Sequence, residues 1–92
     1  MNKIGDAGLL SLCDALKAHS GLQELDLRRN AIGNAGVQAL VATLAMGGAP
    51  SLRLVKLARN EGIDGMGRTI ASGLRFLRKE VVLDFDDPGL LP

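Results

Sequence analysis

Apolar residues along this chain fall into two alternating rhythms. Leu9, Leu12, Cys13 and Leu16 are spaced i, i+3, i+4, i+7, which places them on one face of a helix. Val37, Leu40, Val41 and Leu44 repeat that spacing. Ile70, Leu74 and Leu77 give a weaker third version, diluted by Gly67 and Gly73. Between these stretches the period drops to two. In "LQELDL" (22–27) and "LRLVKL" (52–57) apolar and polar positions alternate as in a strand with one buried face. The pattern predicts helices near 6–18, 34–46 and 65–78 and strands near 23–28, 53–58 and 81–86. The strands are expected to lie parallel, with the helices on one side, in an α/β fold.

Whole phrases recur as well. "NKIGDAG" (2–8) returns as "NAIGNAG" (30–36), and "LQELDLRRN" (22–30) returns as "LRLVKLARN" (52–60), both reading L-x-x-[LV]-x-L-x-x-N. "EVVLDFDDP" (80–88) is a decayed third copy, with Pro88 in place of the asparagine. The third turn, "NEGIDGMG", carries one inserted residue and loses the Ile-Gly pair. A recurrence of 20 to 50 residues signals stacked units, each burying its apolar face only against its neighbours.

This combination resembles the leucine-rich repeat, in particular the ribonuclease-inhibitor-like subtype with units of about 28 residues. The resemblance implies a short right-handed β-α solenoid, with parallel strands on the concave side and helices on the convex side. About three units, near 2–29, 30–59 and 60–88, would make one domain of residues 1–92. It also implies that Asn2, Asn30 and Asn60 end their strands by bonding backbone groups left open at the bend. Gly5 and Gly33 are expected to permit backbone angles that other residues resist. Asp6, Asn34 and Asp64 fit as helix N-caps. Gly8 and Gly36 are expected to let helix and strand approach closely. Asn2 ends a strand motif whose strand is absent from the chain. The chain is thus expected to be either a fragment of a longer array or a subunit whose open first unit another chain covers, a second copy included.

Composition narrows the possibilities. Hydrophobic residues make up 47% of the 92 and aromatics 2%, so a thin core must be built from Leu, Ile, Val and Ala. Eleven basic residues face ten acidic ones, which gives no electrostatic reason to expect nucleic acid. Without Trp or Tyr there is also little to stack bases. The apolar run 37–46 is too short to span a bilayer, and no signal peptide opens the sequence, so a cytoplasmic, reducing location without membrane contact is expected. One cysteine rules out an internal disulfide.

No catalytic constellation stands out. Cys13 falls on the core face, and His19, six residues on, points elsewhere around the helix. One Cys and one His are too few for an ordinary zinc site, and no cofactor or metal is expected. The glycines of "NEGIDGMGR" match no phosphate loop. Arg75, Arg78 and Lys79 are expected to complement the dipole at the end of the third helix.

What remains is surface. Outward strand positions form three rows: Glu24, Leu54 and Val82; Asp26, Lys56 and Asp84; Arg28, Ala58 and Asp86. The second row reads as a charge ladder with a lysine between two aspartates, and Leu54 beside Val82 as a small apolar patch. These nine residues are the candidate partner-binding face. The expected function is non-catalytic: a protein–protein interaction module or structural subunit of a larger intracellular assembly, binding another protein through the strand face or the exposed ends. The resemblance also admits part of a GTPase regulator like the Ran GTPase-activating protein, with Arg29 and Arg59 on the rim, or the sensing repeats of an intracellular immune receptor.

Overall fold

The computed structural model describes residues 4–18 and 21–85; Asn2, His19 and Asp86 lie outside them. Helix and strand alternate in the order α1 (Asp6–Leu16), β1 (Glu24–Asp26), α2 (Asn34–Ala45), β2 (Leu54–Lys56), α3 (Gly65–Gly73) and β3 (Val82–Asp84). A 3-10 turn, Leu74–Phe76, closes α3. The strands form one open sheet ordered β1-β2-β3, with both pairings parallel. Each strand is three residues long, shorter than the alternation predicts. For β1 and β2 the cause lies in the backbone: Arg29 and Arg59 adopt φ of 59° and 64°, which swings the chain out of the sheet just before each asparagine.

The helix faces and the inward strand residues make one core. Leu9, Cys13 and Leu16 of α1, and Val37, Leu40 and Leu44 of α2, pack with Leu27, Val55 and Leu57. Burial is deepest in the middle. Leu52 and Val55 are fully covered, whereas Leu22 and Leu25, their counterparts beside the edge strand β1, are only half-buried. Among the described residues only the central strand has a neighbour on both sides to cover it.

Buried asparagines tie the units together. The Asn30 side-chain amide donates to the Leu27 carbonyl at 3.0 Å and the Arg28 carbonyl at 3.2 Å, and its oxygen accepts from Ile4 N–H at 3.1 Å. Asn60 goes further. It donates to Leu57 O in its own bend (2.9 Å) and to Leu27 O in the preceding one (2.8 Å), while its oxygen accepts from Ile32 N–H at 3.1 Å. Each amide thus satisfies backbone groups that the left-handed bend removes from the strand ladder.

Several expectations about the turns need correction. Gly5 and Gly33 take ordinary extended angles, φ −93° and −114°, which any residue adopts. They are themselves the N-cap residues; Asp6 and Asn34 sit one position later, already inside their helices. From there each reaches forward to the next helix. Asp6 Oδ1 accepts from Gly33 N–H at 2.8 Å, and Asn34 pairs reciprocally with Asp64, donating to its carboxylate (2.8 Å) and accepting from its N–H (3.2 Å). Only Asp64 caps its own helix, through Met66 N–H at 2.9 Å. Gly36 allows a close approach between neighbouring helix starts rather than between helix and strand. A Cβ there would run into the Asp6 carboxylate and press on Leu9 and Ile32.

The third unit departs furthest from its pattern. Leu77, expected on the apolar face, lies beyond the 3-10 turn and is 67% exposed. The chain swings there to carry Arg78 inward, where it is 8% exposed. Its guanidinium donates to the carbonyls of Leu44 (3.1 Å), Gly48 and Ala49 (3.0 Å), and its Nε pairs with Glu80 at 2.9 Å. Arg78 therefore closes the C-terminus of α2, not that of its own helix as the dipole argument expects. That terminus needs help. It ends with Gly47 at φ 96°, Gly47 N–H bonded to Leu44 O and Gly48 N–H to Thr43 O, a Schellman turn that leaves nearby carbonyls with acceptor capacity to spare.

Two stability predictions follow from these bonds. Asn60→Ala strands buried groups in two units and should cost about 3 kcal/mol, lowering Tm by roughly 10–20 °C, whereas Asn30→Ala should cost less. Equal and small losses in thermal melts would contradict the account of the asparagines. Arg78→Ala should cost about 2–3 kcal/mol in denaturant titration, and Arg78→Lys should restore less than half, because an ammonium cannot span three carbonyls. Full rescue by lysine would mean that charge alone matters at this position.

Candidate functional site

The sheet's outer face follows the expected register in its first two rows. Glu24 lies beside Leu54 and Leu54 beside Val82; Asp26 lies beside Lys56 and Lys56 beside Asp84. Glu24, Asp26 and Val82 are exposed, and Leu54, Lys56, Asp84 and Arg28 are half-buried. The third row does not form. Ala58 is 2% exposed, because the chain has left β2 and is entering the left-handed bend at Arg59. Ala58 is thus a core residue, and its carbonyl accepts from Arg29 N–H at 3.0 Å. Asp86 lies outside the described residues.

The charges pair differently from a straight ladder. Lys56 leans back one row to Glu24, Nζ to Oε1 at 2.9 Å. Asp26 is gripped by Arg28 from the same strand end. Nε reaches Oδ1 at 2.9 Å, Nη2 reaches Oδ2 at 2.7 Å, and the Arg28 backbone N–H adds a third bond at 3.1 Å. This fork, with a smaller contribution from Lys56, holds the Asp26 carboxyl at about 2, below its ordinary 3.8. The result is a face with Leu54 and Val82 side by side and paired charges around them.

Other candidate chemistry is already spoken for. Cys13 is buried in the core with its thiol unpaired. At the start of α3 the Asp64 carboxylate occupies the helix N-terminus itself, and its bonds from Asn34 and Met66 lower its pKa. Among the described residues no three His, Cys, Asp or Glu side chains gather as a metal-binding group. Among them, too, no helix is long and apolar enough to cross a membrane. Arg29 and Arg59 are exposed at the bends, and their backbone angles are what the fold demands of them.

Two features escaped sequence reasoning. The forward reach of Asp6 and Asn34 to the next helix has no signal in a single unit; it becomes readable only once the stacking order is known. Most of the apolar exposure of the third unit was equally hidden: Met66, Phe76 and Leu77 are 69%, 82% and 67% exposed.

The Asp26 fork makes a pH prediction. Because the folded carboxyl ionises below its unfolded value of 3.8, its stabilising effect is fully present above that value and is lost as pH falls toward 2. Carboxyl NMR should give Asp26 a midpoint near 2, moving back toward 3.8 in Arg28→Ala. An unmoved midpoint would remove Arg28 as the cause.

A family model described as Leucine Rich repeat matches residues 1–13 and 20–41. The match falls on the α1, β1 and α2 region, where helix face, strand alternation and asparagine bend recur in order. Proteins of that family generally mediate protein–protein interaction, and their repeats are typically non-catalytic. Together with three helices and three parallel strands in an open sheet, the match supports a leucine-rich-repeat protein.

Proposed function

We propose that this chain is a non-catalytic protein-interaction module of the ribonuclease-inhibitor-like subtype. In this reading it is a short right-handed solenoid of about three units, near 2–29, 30–59 and 60–88, and serves as a structural subunit of a larger intracellular assembly. Its partner is another protein, met by the strand face of Glu24, Asp26, Arg28, Leu54, Lys56, Val82 and Asp84. The observation that carries the reading is the arrangement of that face. Leu54 and Val82 adjoin in its first row, and beside them Glu24 with Lys56 and Asp26 with Arg28 satisfy their charges. Apolar area bordered by polar, self-paired groups is a combination that protein interfaces use. Burying it strands no lone charge from these pairs, which keeps the desolvation cost low.

Nothing comparable favours a catalytic or GTPase-regulating role. Arg29 and Arg59 sit at bends whose geometry the stacking already requires. The test is affinity capture from an intracellular extract with the chain and with Leu54→Glu. The variant should melt like the parent, since Leu54 lies on the outer face, and should lose at least about tenfold in partner recovery, as truncated interface centres do. Undiminished capture would move the site off the strand face.

A further inference from the structure

At the end of the sheet furthest from β1, a groove of about 360 Å³ opens between α3 with its 3-10 turn and β3. Its floor is apolar: Ala71, Val81, Val82, Leu83 and Phe85. Its ionisable lining is Arg68, Arg75 and Lys79, with no carboxylate among the described residues that line it. That concentration is not a property of the whole chain, where basic and acidic residues nearly balance. Arg68 stacks over the Phe85 ring at 4.8 Å, which holds the guanidinium in place at low entropic cost. Phe85 is one of only two aromatic residues in the protein. The other, Phe76, stands 82% exposed on the adjoining turn.

The strand beside the groove also has bonding capacity to offer. Val82 N–H donates to Arg53 O (2.8 Å) and Asp84 O accepts from Leu57 N–H (2.7 Å), so these two residues face β2. Alternation along a strand then directs the N–H and C=O of Leu83 toward the opposite edge, where no described strand pairs. A strand edge that no described strand pairs, an apolar floor and three cations occur together at one place.

We infer that this groove receives an extended segment of a partner protein, rich in carboxylates and leucine-type side chains, which adds to the open edge of β3. Main-chain bonds to Leu83 supply register, apolar side chains lie against Ala71, Leu83 and Phe85, and carboxylates meet Arg68, Arg75 and Lys79. The groove adjoins the strand-face patch, sharing Val82 with it, but its cations and the rest of its floor lie beyond that patch, so it stands whether or not the patch binds. An acidic occupant follows from the cation-only lining; a neutral or basic segment would leave three like charges facing it.

The experiment uses the full chain and a labelled eight-residue probe, Asp-Leu-Leu-Asp-Asp-Leu-Leu-Asp. In extended form each face of the probe carries both residue types. Anisotropy should show saturable binding that weakens with added salt, and amide shifts should cluster between residues 68 and 85. The double variant Arg75→Glu, Lys79→Glu changes two exposed side chains and should leave melting intact while raising Kd by about tenfold or more. Leu54 itself lines no part of the groove, so Leu54→Glu should weaken the probe far less than the double variant does, and failure here and failure of the strand-face reading are separable. Equal binding of the same probe with lysine for aspartate would overturn the inference, as would indifference to the double variant. Binding that emerges only with Asp86→Asn and Asp87→Asn would make the chain's own terminus the occupant and overturn the partner reading. A concentration-dependent dimer in light scattering that Arg75→Glu abolishes would make a second copy the occupant, with the same consequence.

Discussion

The buried asparagine amide is the interaction on which this fold depends. A strand that hands over to a helix within a few residues must turn sharply, and here it does so through left-handed backbone at Arg29 and Arg59. That turn pulls carbonyls and N–H groups out of the sheet ladder into a place water does not reach. An unsatisfied buried backbone group costs about 1–3 kcal/mol, a large share of a small domain's stability. Asparagine, with a donor and an acceptor on one short planar group, satisfies both kinds at once. Aspartate lacks the donor and glutamine adds a rotatable bond. Because Asn60 bonds Leu27 and Ile32 as well as its own bend, the same amide that rescues one unit fastens it to the one before.

Everything else adapts to that stitch. Once the bends are in register, neighbouring helix starts are brought so close that Gly36 has no room for a Cβ, and Asp6 and Asn34 find the next unit's N-cap within reach. The opposite helix ends need their own closure. For α1 it is a backbone bond, Ala49 N–H to Leu16 O at 2.9 Å; for α2 it is the Arg78 guanidinium. Ala49 and Arg78 hold equivalent places, each with its carbonyl accepting from the residue three positions on. One position in the repeat thus does the same job by two chemistries. Arginine is the costlier choice, justified where the turn it serves leaves several carbonyls converging on one point.

Much of this architecture was legible in the sequence, and the parts that were not share a cause. Helix faces, strand order and row register follow from local periodicity, which one unit displays by itself: Leu9 to Leu16, and Glu24 beside Leu54. The errors arise where the answer depends on the neighbouring unit. Asp6 and Asn34 look like caps because capping residues are acidic or amide and stand at helix starts, yet the groups they bond lie across the stack. Ala58 looks outward by strand parity, but parity holds only while the chain remains a strand. The charge ladder assumed straight rows, whereas long side chains choose the nearest partner, and Arg28 outcompetes Lys56 for Asp26 by presenting two parallel donors.

The same distinction separates stability from recognition. Groups that hold the stack together are buried and paired: among the described residues no buried side-chain nitrogen or oxygen lacks a partner. The outer strand face is arranged likewise, with Glu24 matched by Lys56 and Asp26 by Arg28. The third unit is different in kind. Its exposed surface combines Phe76, Leu77 and Met66 with a groove whose described lining holds cations and no carboxylate. Among the described residues this side of the sheet combines a strand edge, an apolar floor and a local excess of cations. Specificity at such a place comes from the charge, since any strand can supply the edge bonds and any leucine can cover the floor.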